Sequence, residues 1–204
     1  MELKKIPYTP VSINLLSDEP ESAEHLRRNP LGYVPVLEIL SQSESSSPAQ
    51  ISPKHFLSES VAILEWLEEI QPQPSYFSPD PLIKAKMRQL AEIINSGTQP
   101  LQNPNVVQRY SSDPEAQKLW IQEWMRKGLT AYQSLTEPLA REFSVGSRPT
   151  FPDLFLIPQC YNALRFGIDL KQEFPRLYLI YEHALSTPEC RNSSPEKFAP
   201  TPQP

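Results

Sequence analysis

Ser58-Glu-Ser-Val-Ala-Ile-Leu-Glu-Trp-Leu-Glu-Glu69 is the stretch on which the fold turns. Ile63, Trp66, Leu67 and Ile70 recur at i, i+3, i+4, i+7 spacing with Glu65, Glu68 and Glu69 between them, so 59–70 reads as a helix with one apolar face. Ser58 stands where a cap is expected, and Glu59 suits a first helical turn. Working back, 55–57 suits a short strand and 34–40, entered through Pro35, a second one paired with it. The segment 41–53 between them is polar and aperiodic, which predicts a surface insertion. Alternation of Val11, Ile13 and Leu15 predicts a strand over 10–15, and 18–28 a loop leading into a short helix.

Downstream the organisation changes. Pro72, Pro74, Pro79 and Pro81 punctuate a linker, and four helical segments follow with no strand signal. The first starts at Pro81 and carries Ile83, Met87, Leu90 and Ile94 to a stop near Gly97. The second opens at Pro114, with a stripe of Trp120, Trp124, Ala131 and Leu135. Thr150-Phe-Pro-Asp153 has the form of a capping box, with Asp in place of Glu or Gln, before the apolar segment 154–166; a helix this apolar belongs at a core, with Pro158 removing one of its hydrogen bonds. The last is an amphipathic run over 173–185. The expected organisation is an α/β domain over 1–72, an all-helical domain over 81–190 and a disordered tail over 191–204.

The 204 residues carry a net charge of -5 without a cluster of Lys and Arg, which argues against a nucleic-acid partner. No run approaches the roughly 18 apolar residues of a membrane span, and the first residues do not form a signal-peptide pattern, so a cytoplasmic protein is expected. Cys160 and Cys190 lack CxxC spacing and a nearby His, suggesting neither a disulfide framework nor a metal site; Cys160 reads as core and Cys190 as surface. His25, His55 and His183 form no acid–base constellation.

Asn29-Pro-Leu-Gly-Tyr-Val-Pro-Val-Leu-Glu38, taken with the 58–69 stretch, resembles the thioredoxin-like half of a glutathione transferase. Pro7-Tyr-Thr-Pro-Val-Ser-Ile-Asn-Leu15, Gln99-Pro-Leu-Gln-Asn103 and Pro158-Gln-Cys-Tyr-Asn-Ala-Leu-Arg-Phe166 resemble the zeta class in particular, the class that contains maleylacetoacetate isomerase. The similarity runs from 1 to about 190, outside the insertion. It implies an α/β thioredoxin-like domain followed by an all-α domain, glutathione as cofactor, a homodimer, and glutathione-dependent cis–trans isomerisation of maleylacetoacetate in phenylalanine and tyrosine catabolism.

The resemblance also implies site residues. Val34-Pro35 matches the cis-proline loop whose preceding residue pairs through its backbone with the cysteinyl part of glutathione; by itself it reads more readily as a plain strand-entry proline. Ser60 would donate to the γ-glutamyl carboxylate, and Glu59, in the place of a commoner Gln, would receive the ammonium group. Gln99, Asn103 and Asn105 match further glutathione contacts, although Pro104 departs from the apolar residue expected between them and polar loop residues need no ligand. Arg165 matches the arginine that holds the acidic substrate through two hydrogen bonds, while by itself it reads also as a partner of the helix dipole.

One feature of the class has no counterpart. Its Ser-Ser-x-x-x-Arg-type motif, whose hydroxyl holds the glutathione thiolate, is absent, and Met1-Glu-Leu-Lys-Lys-Ile-Pro-Tyr8 matches the end of the family's first helix. The first domain is therefore expected to be truncated at its start, with no catalytic residue identified. Two other readings stay open: a non-catalytic binding module of the same fold, and a general glutathione-conjugating transferase.

Overall fold

The computed structural model describes residues 1–15, 17–40 and 55–198. The chain divides into two compact units, Leu3–Gln73 and Pro74–Lys197. The expected insertion at 41–53 lies outside the described residues.

In the first unit a 3-10 turn at Glu2–Lys4 is followed by α1 (Ala23–Arg28), β1 (Val36–Ile39), β2 (His55–Ser58) and α2 (Ser60–Ile70). Ser22 caps α1 by accepting from the His25 amide. β1 and β2 pair antiparallel with Val36 opposite Ser58 and Ile39 opposite His55. The strand expected over 10–15 does not form. A strand exists only in a ladder, and none of the described residues pairs with this segment, whose Val11 is exposed. Lys4 is buried and joins the first turn to α2, its Nζ 2.7 Å from Glu68 and 2.5 Å from the Gln71 carbonyl. Ile63 and Leu67 are buried as expected, but Trp66 is half-buried and Ile70, in the last turn, is exposed. Ser58 closes β2 rather than capping the helix, and Glu59 takes the cap position.

The second unit is helical: α3 (Pro81–Asn95), a 3-10 turn at Gln99–Gln102, α4 (Pro104–Tyr110), α5 (Pro114–Thr136), α6 (Asp153–Arg165), α7 (Leu170–Glu173), α8 (Pro175–Ser186) and α9 (Pro188–Asn192). Asp80 and Asp113 cap α3 and α5, each accepting two amide N–H bonds of the first turn, and a proline follows each cap. α6 packs against α3, α7 and α8 and is central to the unit. Its start is held by Asp153, fully buried, whose carboxylate accepts from the Ser144 amide at 2.9 Å and from the Thr150 amide and hydroxyl at 2.8 and 2.7 Å. Only the Asp half of the capping box expected there forms: Asp153 accepts the Thr150 amide, but the Thr150 hydroxyl donates to Asp153 instead of accepting its amide, and Pro152 at the cap position makes no side-chain bond.

The face of α5 differs from expectation by one position. Ile121, Met125, Gly128, Leu129, Tyr132 and Thr136 are buried, whereas Trp120 and Trp124 are half-buried and Ala131 and Leu135 exposed. Close approach decides the register: a Cβ on Gly128 would stand 2.0 Å from Thr98 Oγ1, so that turn admits only glycine. The run expected over 173–185 forms α8, which Pro175 opens after Phe174 leaves helical geometry, while Glu173 is the last residue of the short α7. Beyond 190 the chain completes α9 and makes a 3-10 turn at Pro195–Lys197 where a disordered tail was expected; 199–204 lie outside the described residues. Among the described residues no helix is long and apolar enough to cross a membrane, and no His, Cys, Asp and Glu gather as metal ligands.

Candidate glutathione site

The register of the sheet builds the first half of the site. Val36 opens β1 and pairs with Ser58, which closes β2. Val34-Pro35 lies immediately before one and Glu59-Ser60 immediately after the other, so the ladder carries both pairs to one end of the sheet. The Val34–Pro35 peptide is cis and Val34 is exposed, leaving its backbone reachable.

At the helix start, Glu59 has φ 71° and ψ 120°, a left-handed conformation that glutamate rarely adopts and that costs on the order of 1–3 kcal/mol. Its side chain makes no capping bond, and no acid stands in the first turn of α2. The contrast with α3 and α5, where Asp80 and Asp113 consume the first-turn N–H groups, is a chemical one. α2 keeps donors and the positive end of its dipole for an acceptor from elsewhere, with the Ser60 hydroxyl at the first helical position. A carboxylate fits there, and Glu59, exposed, supplies the negative charge that an ammonium group beside that carboxylate would need.

The other expected residues are in the second unit. Gln99 opens the 3-10 turn and donates through Nε2 to Asn103 Oδ1 at 3.1 Å; Asn103 links that turn to α4 without capping it, and Asn105 is exposed in α4. The turn is fixed by two contacts that sequence reasoning missed. Trp120 Nε1 donates to the Leu101 carbonyl at 2.9 Å, and Gln102 donates to the Thr98 carbonyl at 3.1 Å and to the buried Gln159 Oε1 at 3.0 Å. Gln159 carried a signal, as a polar residue inside an apolar helix. Arg165 is the last residue of α6, exposed, with its guanidinium 5.7 Å from the Tyr161 ring centroid. The neighbouring Glu196 carboxylate raises the pKa of the Tyr161 phenol.

Neither cysteine is an activated nucleophile. Burial pushes the Cys160 thiol far up, aided by Asp153, and burial also raises Cys190.

A cis-proline loop facing an open helix N-terminus, with a helical unit following, defines the glutathione-transferase class. A family model described as "Glutathione S-transferase, N-terminal domain" matches residues 1–70. The maleylacetoacetate isomerase of Pseudomonas aeruginosa is 32% identical over 207 residues, covering 99% of this chain and 91% of its own length. The zeta-class glutathione S-transferase of Euphorbia esula is 34% identical over 200 residues, 97% of this chain and 83% of the relative. A crystal structure of maleylacetoacetate isomerase from Anaeromyxobacter dehalogenans, with bound GSH in the active site, superposes with a TM-score of 0.83 at 36% identity, covering 96% of this chain and 87% of that one. The chain belongs to the zeta class of glutathione transferases, the family of the maleylacetoacetate isomerases.

Proposed function

We propose that this protein is a glutathione-dependent isomerase that converts maleylacetoacetate to fumarylacetoacetate, a step in phenylalanine and tyrosine catabolism, acting as a cytoplasmic homodimer. The observation that carries the reading is the juxtaposition of Val34-Pro35 with the uncapped N-terminus of α2 at one end of the sheet. Bound glutathione would supply a thiolate for reversible addition to the conjugated double bond of the substrate.

The chain's own residues bind and orient. Val34 offers main-chain groups to the cysteinyl part, the Ser60 hydroxyl and first-turn N–H groups of α2 take the γ-glutamyl carboxylate, and Glu59 accepts the ammonium. Gln99, Asn103 and Asn105 contribute polar contacts. Arg165 holds a substrate carboxylate through a bidentate pair, placing the reacting bond. With neither cysteine activated, the chain supplies no competing thiolate.

Arg165→Ala tests the substrate half. A charge-assisted hydrogen bond of about 1.5–3 kcal/mol corresponds to a rise of roughly tenfold or more in KM for the dicarboxylic substrate, with KM for glutathione nearly unchanged. Equal effects on both would remove Arg165 from the substrate site. Absence of glutathione-dependent turnover of any maleyl compound by the purified protein would overturn the reading as a whole.

A further inference from the structure

Beneath the exposed loop at 31–34 lie two polar side chains that touch none of the proposed ligand groups. His25 and Asn29 are each 3% exposed, whereas Leu31, Tyr33 and Val34 above them are 65%, 52% and 43% exposed. Both reach the same atom. Asn29 Nδ2 donates to the Tyr33 carbonyl oxygen at 2.9 Å, and His25 Nε2 stands 3.3 Å from it. Asn29 also accepts from the Leu31 amide through Oδ1 at 3.2 Å and from the Gly32 amide through its own carbonyl at 2.9 Å. Gly32 completes the turn at φ 70°, where a Cβ would meet the Pro20 carbonyl oxygen at 3.0 Å.

His25 Nδ1 is buried and has no hydrogen-bond partner among the described residues. Because a carbonyl can only accept, the neutral ring must carry its proton on Nε2 and leave Nδ1 bare; the opposite tautomer would bury an orphan donor and break the bond to Tyr33. An apolar ring of the same size would fill the space without leaving a buried nitrogen unsatisfied. What histidine adds is its hold on that carbonyl. The Tyr33 C=O and the Val34 N–H belong to one planar trans peptide and point in opposite directions. Two buried donors on the oxygen therefore fix where the N–H points.

We infer that His25 and Asn29 are positioning residues for glutathione, clamping the Tyr33–Val34 peptide plane so that the Val34 main chain is presented to the cysteinyl part of the ligand. The inference rests on the assignment of Val34 to the glutathione site. Neither residue touches glutathione; both act through the peptide.

The test is calorimetric binding of glutathione to the full chain and to His25→Phe, His25→Gln and His25→Asn. A glutamine amide nitrogen lies near the position of Nε2, whereas that of asparagine lies near Nδ1 and does not reach Tyr33. His25→Phe and His25→Asn should weaken glutathione about fivefold, the effect of one hydrogen bond, while His25→Gln stays within about twofold of the parent. KM for the acidic substrate should not move. In ligand-free protein the Val34 amide resonance should shift in the Phe and Asn variants and stay in place in the Gln variant. If His25→Phe does not fold, the Asn and Gln pair carries the same comparison. Parent-like affinity in the Phe or Asn variant, or equal loss in the Gln and Asn variants, overturns the clamp alone. Failure of the parent to bind glutathione overturns the site assignment and the clamp together.

Discussion

The two units hold themselves together by different means. Among the described residues the first buries two apolar side chains, Ile63 and Leu67, beside three polar ones, Lys4, His25 and Asn29. The second buries a continuous apolar set that runs from Tyr76 to Ala184 through Met125, Leu129, Leu156 and Leu177. Apolar burial is non-directional and tolerates local error, whereas a buried polar group contributes only while its partners stay in place. The unit that presents an open helix end and the Glu59 conformation thus has little apolar reserve. The helical unit carries Arg165 at the end of α6.

The largest effect is expected where the second unit departs from its apolar rule. Asp153→Ala strands three donors at a fully buried site, each costing roughly 1–3 kcal/mol, so a loss of about 3 kcal/mol or more should appear as a lower denaturation midpoint for the helical signal. A loss below about 1 kcal/mol would mean that the start of α6 is held by packing alone. Next in size is Lys4→Met, which removes the buried ammonium between Glu68 and the Gln71 carbonyl. The expected cost is on the order of 1–3 kcal/mol, confined to amide protection in the first unit; loss spread over α5 and α6 would contradict the division.

The smallest effect is at the surface of the second unit, where Arg126 Nε lies 2.6 Å from Glu173. The hydrogen bond from Arg126 holds the Glu173 carboxyl below its ordinary value of 4.5. A lowered carboxyl contributes stability that is present above its unfolded pKa and lost as pH falls through the folded one. Arg126→Gln should cost about 0.2–1 kcal/mol at neutral pH, because the pair is largely exposed, and the difference from the parent should shrink as pH falls below 4.5 and vanish once the lowered folded value is passed. A difference that persists in acid would assign the effect to packing of the arginine stem.

Where sequence periodicity met a single dominant contact, it was legible. Met87, Leu90 and Ile94 line α3 as their spacing requires, Cys160 is core, the Val34–Pro35 peptide is cis and Glu59-Ser60 opens α2. The face of α5 was not legible, because two helical stripes one residue apart compete and the tryptophans outweigh Gly128 in any hydrophobic reading. Only the contact with Thr98 reveals which stripe goes inward. The strand expected at 10–15 shows the opposite limit: alternation describes what a segment could pair with and carries no information on whether a partner lies beside it. His25 was invisible as a site residue because its role runs through a carbonyl eight residues away.

Amide hydrogen exchange with and without glutathione tests the central claim most directly. Ligand that binds only the folded first unit raises its stability by mass action, so protection should increase across Val34, Val36–Ile39, His55–Ser58 and the first turns of α2, while the α6 core amides change little. Ser60→Ala should shift the glutathione concentration at which this occurs upward without altering ligand-free protection. Glutathione-induced protection that leaves the β1–β2 end and α2 unchanged, or no change at any concentration, would contradict a glutathione site built from Val34-Pro35 and Glu59-Ser60.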